Sequence, residues 1–250
     1  MHIDMNSYFA TCEQQDNPAW RGKPLGVCEH LGGIIIAASI EAKRYGIKTG
    51  TPVWEAKRLY PQIILVPTTP NRYRYYTGRF LKVVEDYTDF VEKYSIDEVF
   101  LDVTRVCNIR VSYVCHSRSD EGLSGIHAPG SQITRLDSDV NPRRKSGMTQ
   151  ESLIDPFVEA ERMAREIKQR IRLEVGDYLS CSVGIASNKL LAKIASDMQK
   201  PDGLVVVRPE EKYKLYDQLA LIDIPGIGVR MERNLNKLGI YSLKDLRDYP

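Results

Sequence analysis

The sequence predicts a mixed α+β domain followed by a small helical unit. Between residues 2 and 104, and again between 157 and 207, apolar runs of strand length alternate with segments of helical periodicity. This alternation indicates one mixed sheet with helices packed on it. After Pro209 the strand pattern stops and only helical pieces remain. Hydrophobic residues make up 42% and charged residues 27% of the 250 residues, which is typical of a globular protein with its own core.

Charge and composition exclude several classes of protein. Thirty-five Lys and Arg against 33 Asp and Glu leave a formal net charge of +2, which excludes a uniformly basic nucleic-acid coat and an acidic disordered tail. No apolar run approaches the roughly 18 residues of a membrane span, so no membrane partner is expected. The start MHIDMNSYFA does not resemble a secretory signal, and the five Cys are odd in number and scattered. We therefore expect a cytoplasmic location.

The first half of the chain begins with a strand that runs directly into a helix. The strand covers residues 2–4 and the helix residues 7–13, with Asn6 or Ser7 as the helix cap. Further strands are predicted at 25–28, 34–38, 63–66, 91–94 and 99–103, and further helices at 41–45, 53–59 and 71–84. A polar turn at 95–97 joins the last two strands into a hairpin.

The second half resumes regular structure after a long interruption. Residues 105–156 lack sustained periodicity and are rich in Gly and Pro, which predicts an inserted loop. Regular elements follow as a helix at 157–173, a strand at 180–185, a helix at 189–198 and a strand at 204–207. Cys107, Cys115, His116 and His127 in the loop match none of the usual paired zinc-ligand spacings, and Cys12 and Cys181 are expected to be small buried residues.

Three carboxylates are candidates for chemistry. Asp4 ends the first strand, and Asp97 and Glu98 lie at the turn of the later hairpin, so adjacent strands of one sheet would bring them together. Clustered carboxylates repel one another and favour hard divalent cations such as Mg²⁺, as in two-metal phosphoryl transfer. Carboxylates at strand ends are also common as solvated turn residues, and spacing alone leaves that alternative open.

Six segments together resemble the Y-family of translesion DNA polymerases. They are HIDMNSYFATCE, GKPLGV, ASIEAKRYGIKTGTPV, YSIDEVFLDVT, SVGIASNKLLAKIASDMQKPDG and IPGIGVRMERNLNKLGI. The resemblance implies a ferredoxin-like palm at 1–10 and 67–208, carrying the inserted loop, and small fingers at 11–66. It also implies a partial helical thumb with a helix-hairpin-helix motif at 209–250, without the little-finger domain of the family.

The resemblance implies specific roles for the carboxylates and their neighbours. Asp4, Asp97 and Glu98 would be the catalytic carboxylates that bind two Mg²⁺ ions, and Met5 would add its backbone carbonyl to the metal site. Phe9 falls at the steric-gate position, where its ring would exclude a ribose 2′-hydroxyl. An ordinary core Phe on a helix is the alternative for Phe9.

Further residues would bind the incoming nucleotide in the same comparison. Lys43 and Lys200 match triphosphate lysines, and Tyr8, beside Phe9, is a nucleotide-site residue that we expect to pack rather than to contact the sugar. The DinB branch usually has a Tyr where this chain has Ile40 and an Arg where it has Lys43, so the UmuC branch is more similar here. The alternatives are a solvent-facing Lys43 and, for Lys200, a cation that favours the carboxyl end of a helix.

The segment at 224–228 resembles the hairpin of a helix-hairpin-helix motif. Gly226 and Gly228 would let backbone N–H groups approach DNA phosphates, and Arg230 on the following helix would add positive charge. Charged helix faces are also common as plain solvated surface, which stays an alternative for Arg230.

The function implied is template-directed DNA synthesis with low fidelity, from dNTPs on primer-template DNA, during lesion bypass. A sliding clamp is a further implied partner, through a region beyond the residues present. Two other classes stay open: a non-catalytic DNA-binding or adaptor fragment of the same family, and another palm enzyme such as a nucleotide cyclase. Asp4, Asp97 and Glu98 argue against the adaptor, and Phe9 with the hairpin argues against the cyclase.

Overall fold

A computed structural model describes residues 1–108 and 155–249 of the chain. Its strands are β1 (His2–Met5), β2 (Leu25–Cys28), β3 (Ile35–Ala38), β4 (Ile64–Pro67), β5 (Val91–Lys93), β6 (Glu98–Leu101), β7 (Cys181–Ile185) and β8 (Leu204–Val206). Its α-helices are α1 (Tyr8–Asp16), α2 (Ile40–Arg44), α3 (Val53–Leu59), α4 (Pro70–Glu85), α5 (Pro156–Arg170), α6 (Lys189–Met198), α7 (Lys212–Tyr216), α8 (Val229–Lys237) and α9 (Leu243–Asp248), besides a short helix at 104–108. Most of the predicted loop, with Cys115, His116 and His127, lies outside the described residues.

The strands form two sheets, so the prediction of one mixed sheet was wrong. Five strands pair in the order β5-β6-β1-β7-β8, antiparallel except for β7 and β8. The other three pair in the order β3-β2-β4, with β2 antiparallel to β3 and parallel to β4. Both edges of β1 are occupied by β6 and β7, so the first strand has no free edge for β2 to join. The alternation of elements predicts the strands correctly but does not reveal their partners.

The core of the five-stranded sheet lies on the face that α4 and α5 cover. Ile3 of β1 is fully buried in one cluster with Phe80 of α4 and Met163 of α5. Side chains alternate between the faces of a strand, so His2 points to the opposite face. There its Nδ1 lies 2.8 Å from the Ser196 hydroxyl of α6. The sheet is therefore covered on both faces around β1.

Helix α6 lies unusually close to β7, and Gly184 is the reason. A Cβ built at Gly184 would lie 2.0 Å from the Ala192 carbonyl oxygen and 2.5 Å from the Ser196 nitrogen of α6. Only a residue without a side chain allows the helix backbone to come this near to the strand. The position of α6 against the sheet is thus set by backbone contact.

The three-stranded sheet packs in two clusters: Leu25, Val27 and Val66 join the core of the five-stranded sheet, and a second cluster is formed with α2 and α3. Cys28 and Ile35 of the sheet pack with Ala42 of α2, Val53 of α3 and Ile63. This separate cluster supports the predicted fingers unit at 11–66, although α1 runs through the predicted boundary after residue 10. The boundaries themselves stay a prediction.

The segment from 209 onwards is helical, as predicted, and thinly packed. Among its described residues, those that are buried and hydrophobic are Leu215, Leu221 and Ile240. A 3₁₀ turn at Leu221–Asp223 leads through Gly226, whose φ is +98°, into α8. Among the residues that the structure describes, none would come within 4 Å of a Cβ at Gly226 or Gly228.

Most predicted elements agree with the structure to within a few residues, with two local differences. Ser7 precedes α1 with φ +49° and its side chain makes no capping hydrogen bond, while Asn6 bonds the hydroxyls of Ser180 and Ser182, so the predicted side-chain cap was wrong. The helix predicted at 157–173 ends at Arg170 and continues as a π-turn at Ile171–Val175.

Two further expectations can be compared with the described residues. Cys12 and Cys181 are 0% and 1% exposed, which confirms them as buried side chains. In the part of the chain that the structure describes, no helix combines the length and the apolar character that crossing a membrane requires.

Candidate active site

Strand register brings the three predicted carboxylates to one end of the five-stranded sheet. In the β1–β6 pair, Asp4 stands directly opposite Glu98. The backbone N–H of Met5 donates to the carbonyl oxygen of Asp97 at 3.0 Å, which extends the pairing by one residue. The structure therefore confirms that the start of the chain and the SIDE hairpin meet.

Asp4 is a buried carboxylate beside a lysine. It is 8% exposed, and burial raises its pKa to about 6, with the negative charge of Glu98 acting in the same direction. Lys200 donates to Asp4 Oδ2 at 2.8 Å and opposes that rise. Burial dominates because the lysine compensates only part of the desolvation cost. A second cation near Asp4 would favour its ionised form.

Glu98 differs from Asp4 in having its charge well compensated. Lys193 of α6 donates to Glu98 Oε2 at 2.8 Å, and His2 Nε2 lies 3.8 Å from the same oxygen. The nearby His2 and the Lys193 ion pair hold the pKa of Glu98 at about 2, against the opposing effect of burial. At 3.8 Å the His2 contact is electrostatic rather than a direct hydrogen bond. Glu98 is therefore ionised across the physiological range.

Asp97 is fixed by its own turn. The Ser95 hydroxyl donates to Asp97 Oδ1 at 2.6 Å and accepts from the backbone N–H of Glu98 at 3.1 Å. A serine that bonds two residues onward in this way stabilises a tight turn. The motif Ser95–Glu98 thus holds both of its carboxylates at the sheet edge.

The donor chemistry of this edge fits a divalent cation. Carboxylate oxygens of Asp4, Asp97 and Glu98, with the backbone carbonyl of Met5, are hard donors of the kind that Mg²⁺ takes. Within residues 1–108 and 155–249, however, no three His, Cys, Asp or Glu side chains are gathered into a ready cluster for a metal. The structure places these donors at one edge of the sheet, but their side chains do not converge on a single metal-binding point.

A cleft of about 580 Å³ contains all four predicted nucleotide-binding residues. Asp4, Met5 and Asp97 line it on one side, and it continues over the start of α1 and α2. Its remaining predicted members are Tyr8, Phe9, Lys43 and Lys200. Glu98 does not line the cleft but stands opposite Asp4, which does. The structure therefore brings Asp4, Asp97 and the predicted nucleotide residues to one cleft, with Glu98 next to it.

Phe9 forms part of the cleft wall rather than the deep core. It is partly buried and stacks on Tyr73 of α4, with ring centroids 4.2 Å apart and planes 12° apart. The sequence reasoning did not identify Tyr73, which fixes the angle of the Phe9 ring. In the sequence, an aromatic residue at helical spacing gives no sign that it stacks on Phe9.

Tyr8, by contrast, is packed. It is 3% exposed, and its hydroxyl lies 2.8 Å from the Tyr73 carbonyl oxygen and 2.9 Å from the Thr77 hydroxyl. This agrees with the expectation that Tyr8 packs beside Phe9.

Two lysines, Lys43 and Lys200, line the cleft and interact electrostatically. Burial lowers the pKa of Lys43, and the positive charge of Lys200 lowers it further. For Lys200, hydrogen bonds to Asp197 and Asp4 outweigh burial and raise its pKa. Mutual repulsion of two lysines is what an anion between them would relieve. Phosphate binding by both residues stays a prediction.

The hairpin residues lie apart from the cleft. Gly226 precedes α8 in the turn, Gly228 is its N-terminal boundary residue, and Arg230 is in its first turn. Arg230 lines a shallow surface groove with Arg233 and Lys237. The structure thus gives the predicted DNA contacts a basic surface, separate from the carboxylates.

Lys193 and His2 are site residues that the sequence reasoning missed. In the sequence His2 is visible only as a strand residue. Lys193 lies on α6, seven residues before Lys200, which follows the end of that helix. Its place in the same motif segment as Lys200 was the available signal for Lys193.

A sheet edge with three carboxylates, beside a cleft that two lysines and the Phe9 ring line, is the arrangement expected of a palm domain. The chain belongs to the impB/mucB/samB family, which it matches over residues 3–197. DNA polymerase IV of Bacteroides fragilis is 34% identical over 249 residues, which are 99% of this chain and 55% of that protein. Across the curated relatives compared, the chain spans about half of their length.

Solved structures give the same result. A Y-family DNA polymerase chimera of Dbh and Dpo4 matches with a TM-score of 0.76 and 31% identity, over 100% of this chain and 60% of that one. The insertion ternary complex of Dbh DNA polymerase matches with the same TM-score, identity and coverage. The Y-family resemblance and the mixed α+β palm and fingers architecture are confirmed.

Proposed function

We propose that this chain carries out template-directed DNA synthesis by two-metal nucleotidyl transfer, with dNTPs and primer-template DNA as substrates. Low-fidelity lesion bypass is the proposed role, in the cytoplasm. The observation that carries the proposal is the register of Asp4 opposite Glu98, with Lys200 bonded to Asp4 at the edge of a cleft that Phe9 lines. A non-catalytic adaptor fragment would not require carboxylates, a lysine and an aromatic ring in this arrangement.

In this proposal each residue of the edge has a defined task. Asp4, Asp97, Glu98 and the Met5 carbonyl would hold two Mg²⁺ ions, which supply charge compensation and lower the pKa of an attacking hydroxyl. Lys43 and Lys200 bind the triphosphate and compensate its charge. Phe9, held by Tyr73, leaves no space below the sugar for a 2′-hydroxyl.

DNA contacts in this proposal come from the helical unit. Gly226 and Gly228 present backbone N–H groups, and Arg230 presents its guanidinium, to phosphates of the duplex. Such contacts position DNA without regard to base sequence, which suits an enzyme that copies any template. A sliding clamp stays a prediction.

We also propose the domain bounds that the resemblance implied: palm at 1–10 and 67–208, fingers at 11–66, and partial thumb at 209–250. The cluster that Cys28 and Ile35 form with α2 and α3 supports the first division, although Leu25, Val27 and Val66 of the same sheet pack in the cluster of the five-stranded sheet. The end of β8 at Val206 supports the second.

Primer extension by the purified chain tests the function. Mg²⁺ should be required for dNTP addition, and EDTA should stop it. A chain that binds primer-template DNA but adds no nucleotide under any divalent cation would favour the adaptor instead. The matched control is Asp97→Asn, which removes one charge at the edge and should bind DNA without extending it.

A further inference from the structure

Lys193 holds the carboxylate of Glu98 from outside the cleft. Its Nζ donates to Oε2 at 2.8 Å, and the two side chains are 16% and 18% exposed. Lys193 Nζ also lies 5.2 Å from the centre of the Tyr94 ring, on the strand side of the same hairpin. An ion pair this enclosed keeps one geometry, unlike a surface pair that exchanges with water.

The same oxygen of Glu98 is faced from a second side. His2 is 0% exposed, and its Nε2 lies 3.8 Å from Oε2 with no hydrogen-bonding partner within residues 1–108 and 155–249. Its other ring nitrogen is fixed 2.8 Å from the Ser196 hydroxyl of α6. Both contacts therefore have their nearest approach at Oε2, while Asp4, opposite Glu98 in the strand register, is the other carboxylate that interacts with Glu98.

The helix that carries Lys193 is itself held in place. Asn188 caps its start by accepting from the Leu191 N–H at 2.9 Å, and Gly184 lets its backbone rest on β7. Lys193 thus projects from a fixed helix, and its reach to β6 is set by the fold. A group held on a rigid element positions its partner more closely than one on a loop.

From these contacts we infer that Lys193 is a positioning residue, which grips Glu98 by Oε2 and leaves Oε1 for a divalent cation. The inference rests on the proposed function, because it gives Glu98 the task of a metal ligand. It assigns Lys193 a task different from that of Lys200, which lines the cleft. Partners that orient a ligating carboxylate typically change metal affinity or activity 10- to 100-fold when removed.

The kinetic test compares two lysines of one helix. Lys193→Met should lower the rate of single-nucleotide addition about 10- to 100-fold. Lys193→Arg, which retains a charged donor, should recover most of that rate. Lys189→Met is the matched control, because Lys189 pairs with Glu92 at the surface, where the side chains are 64% and 55% exposed. Its rate should stay at the wild-type value.

A double variant separates positioning from general damage. In a Glu98→Ala background Lys193 has no carboxylate to hold, so adding Lys193→Met should cause no further loss of rate. An equal fractional loss in both backgrounds would overturn the inference, because Lys193 would then act by another route. Wild-type rates in Lys193→Met would overturn it as well.

A structural readout does not depend on activity. In a crystal structure of Lys193→Met without metal, the Glu98 carboxylate should leave its place beside His2 or occupy more than one rotamer. An unmoved carboxylate would contradict the inference, and Lys193→Gln serves for the same measurement if the Met variant does not fold. An inactive wild-type chain would count against the proposed function alone, while the position of Glu98 would still decide the role of Lys193.

Discussion

The carboxylate edge of the five-stranded sheet and the hairpin before α8 differ in how tightly their residues are held by surrounding contacts. At the edge, Asp4 and Glu98 are opposite in strand register, and both belong to ion pairs with α6 or the loop that follows it. At the hairpin, Gly226 and Gly228 have no atom within 4 Å of a would-be Cβ, and α8 has no buried residue.

The difference reflects what each region is proposed to bind. Nucleotidyl transfer needs reacting groups placed to within a fraction of an ångström, so its residues lie on strands whose neighbours fix them. Duplex phosphates repeat along the DNA and are attracted over a distance, so a lightly packed hairpin can bind them. Changes at the edge should therefore alter catalysis strongly, and changes at the hairpin should alter affinity modestly.

The largest effect should come from the edge. Asp97→Ala should reduce nucleotide addition about 1,000-fold or more, because it removes several kcal/mol of metal-dependent transition-state stabilisation. Glu98→Ala should reduce it as strongly and should also lower thermal stability, since the low pKa of Glu98 shows that its charge stabilises the fold. Single-turnover kinetics and thermal unfolding measure the two effects. The surface variant Glu92→Ala should change neither, and wild-type rates in Asp97→Ala would contradict the assignment.

The second effect is on the pH dependence of stability. Asp4 has a folded pKa of about 6 against an ordinary value of 3.8, so the folded state binds the proton more tightly than the unfolded state. Its contribution is fully present below about pH 4 and is lost as the pH rises through 6, on the order of 2–3 kcal/mol for two pKa units. Asp4→Asn should remove this decline in the free energy of unfolding between pH 4 and 7.

Urea unfolding in EDTA across that range is the measurement for Asp4. The control is Asp197→Asn, an exposed carboxylate that also pairs with Lys200 and should retain the decline. If the free energy of unfolding of the wild-type chain rises steadily from pH 4 to 7, the effect of Lys200 on the pKa of Asp4 outweighs that of burial.

A smaller effect is expected at the gate. Phe9→Ala should raise ribonucleotide incorporation relative to deoxynucleotide by at least about tenfold, since steric discrimination by a pocket wall is worth 1–3 kcal/mol. Paired insertion kinetics with dNTP and rNTP measure the ratio. Tyr73→Leu, which removes the ring stacked on Phe9, should raise the ratio of ribonucleotide to deoxynucleotide incorporation by less than Phe9→Ala does. Unchanged discrimination in Phe9→Ala would place the gate elsewhere.

The smallest effect belongs to the hairpin. Gly226 has φ +98° and Gly22 has φ +71°, both with open space around a Cβ, so alanine at either position costs about 1–2 kcal/mol of backbone strain. Gly226→Ala should also weaken primer-template binding a few-fold and flatten its salt dependence, whereas Gly22→Ala should not. Equal DNA affinity in the two variants would remove the hairpin from the DNA interface.

The sequence predicts elements and motif roles better than partnerships. Periodicity located nearly every strand and helix, because burial on one face imposes it on each segment separately. The division into two sheets depends on β1 having both edges occupied, which no local pattern records. In the same way, Asp4 and Glu98 are visible in the sequence as motif residues. Lys193 contacts Glu98, 95 residues away along the chain, and Tyr73 contacts Phe9, 64 residues away. Distant contacts of this kind require the fold.

The close seating of α6 on β7 at Gly184 has a consequence for genetic screens. Any larger residue there would push the helix away from the strand, and with it Lys193, Ser196 and the loop that carries Lys200. Position 184 touches neither the cleft nor a carboxylate, yet a selection for DNA synthesis should reject every replacement. When every substitution at position 184 is tested for activity, the position would look like a catalytic one. Only a measurement of the position of α6 relative to β7 would show that Gly184 acts by allowing the two backbones to approach.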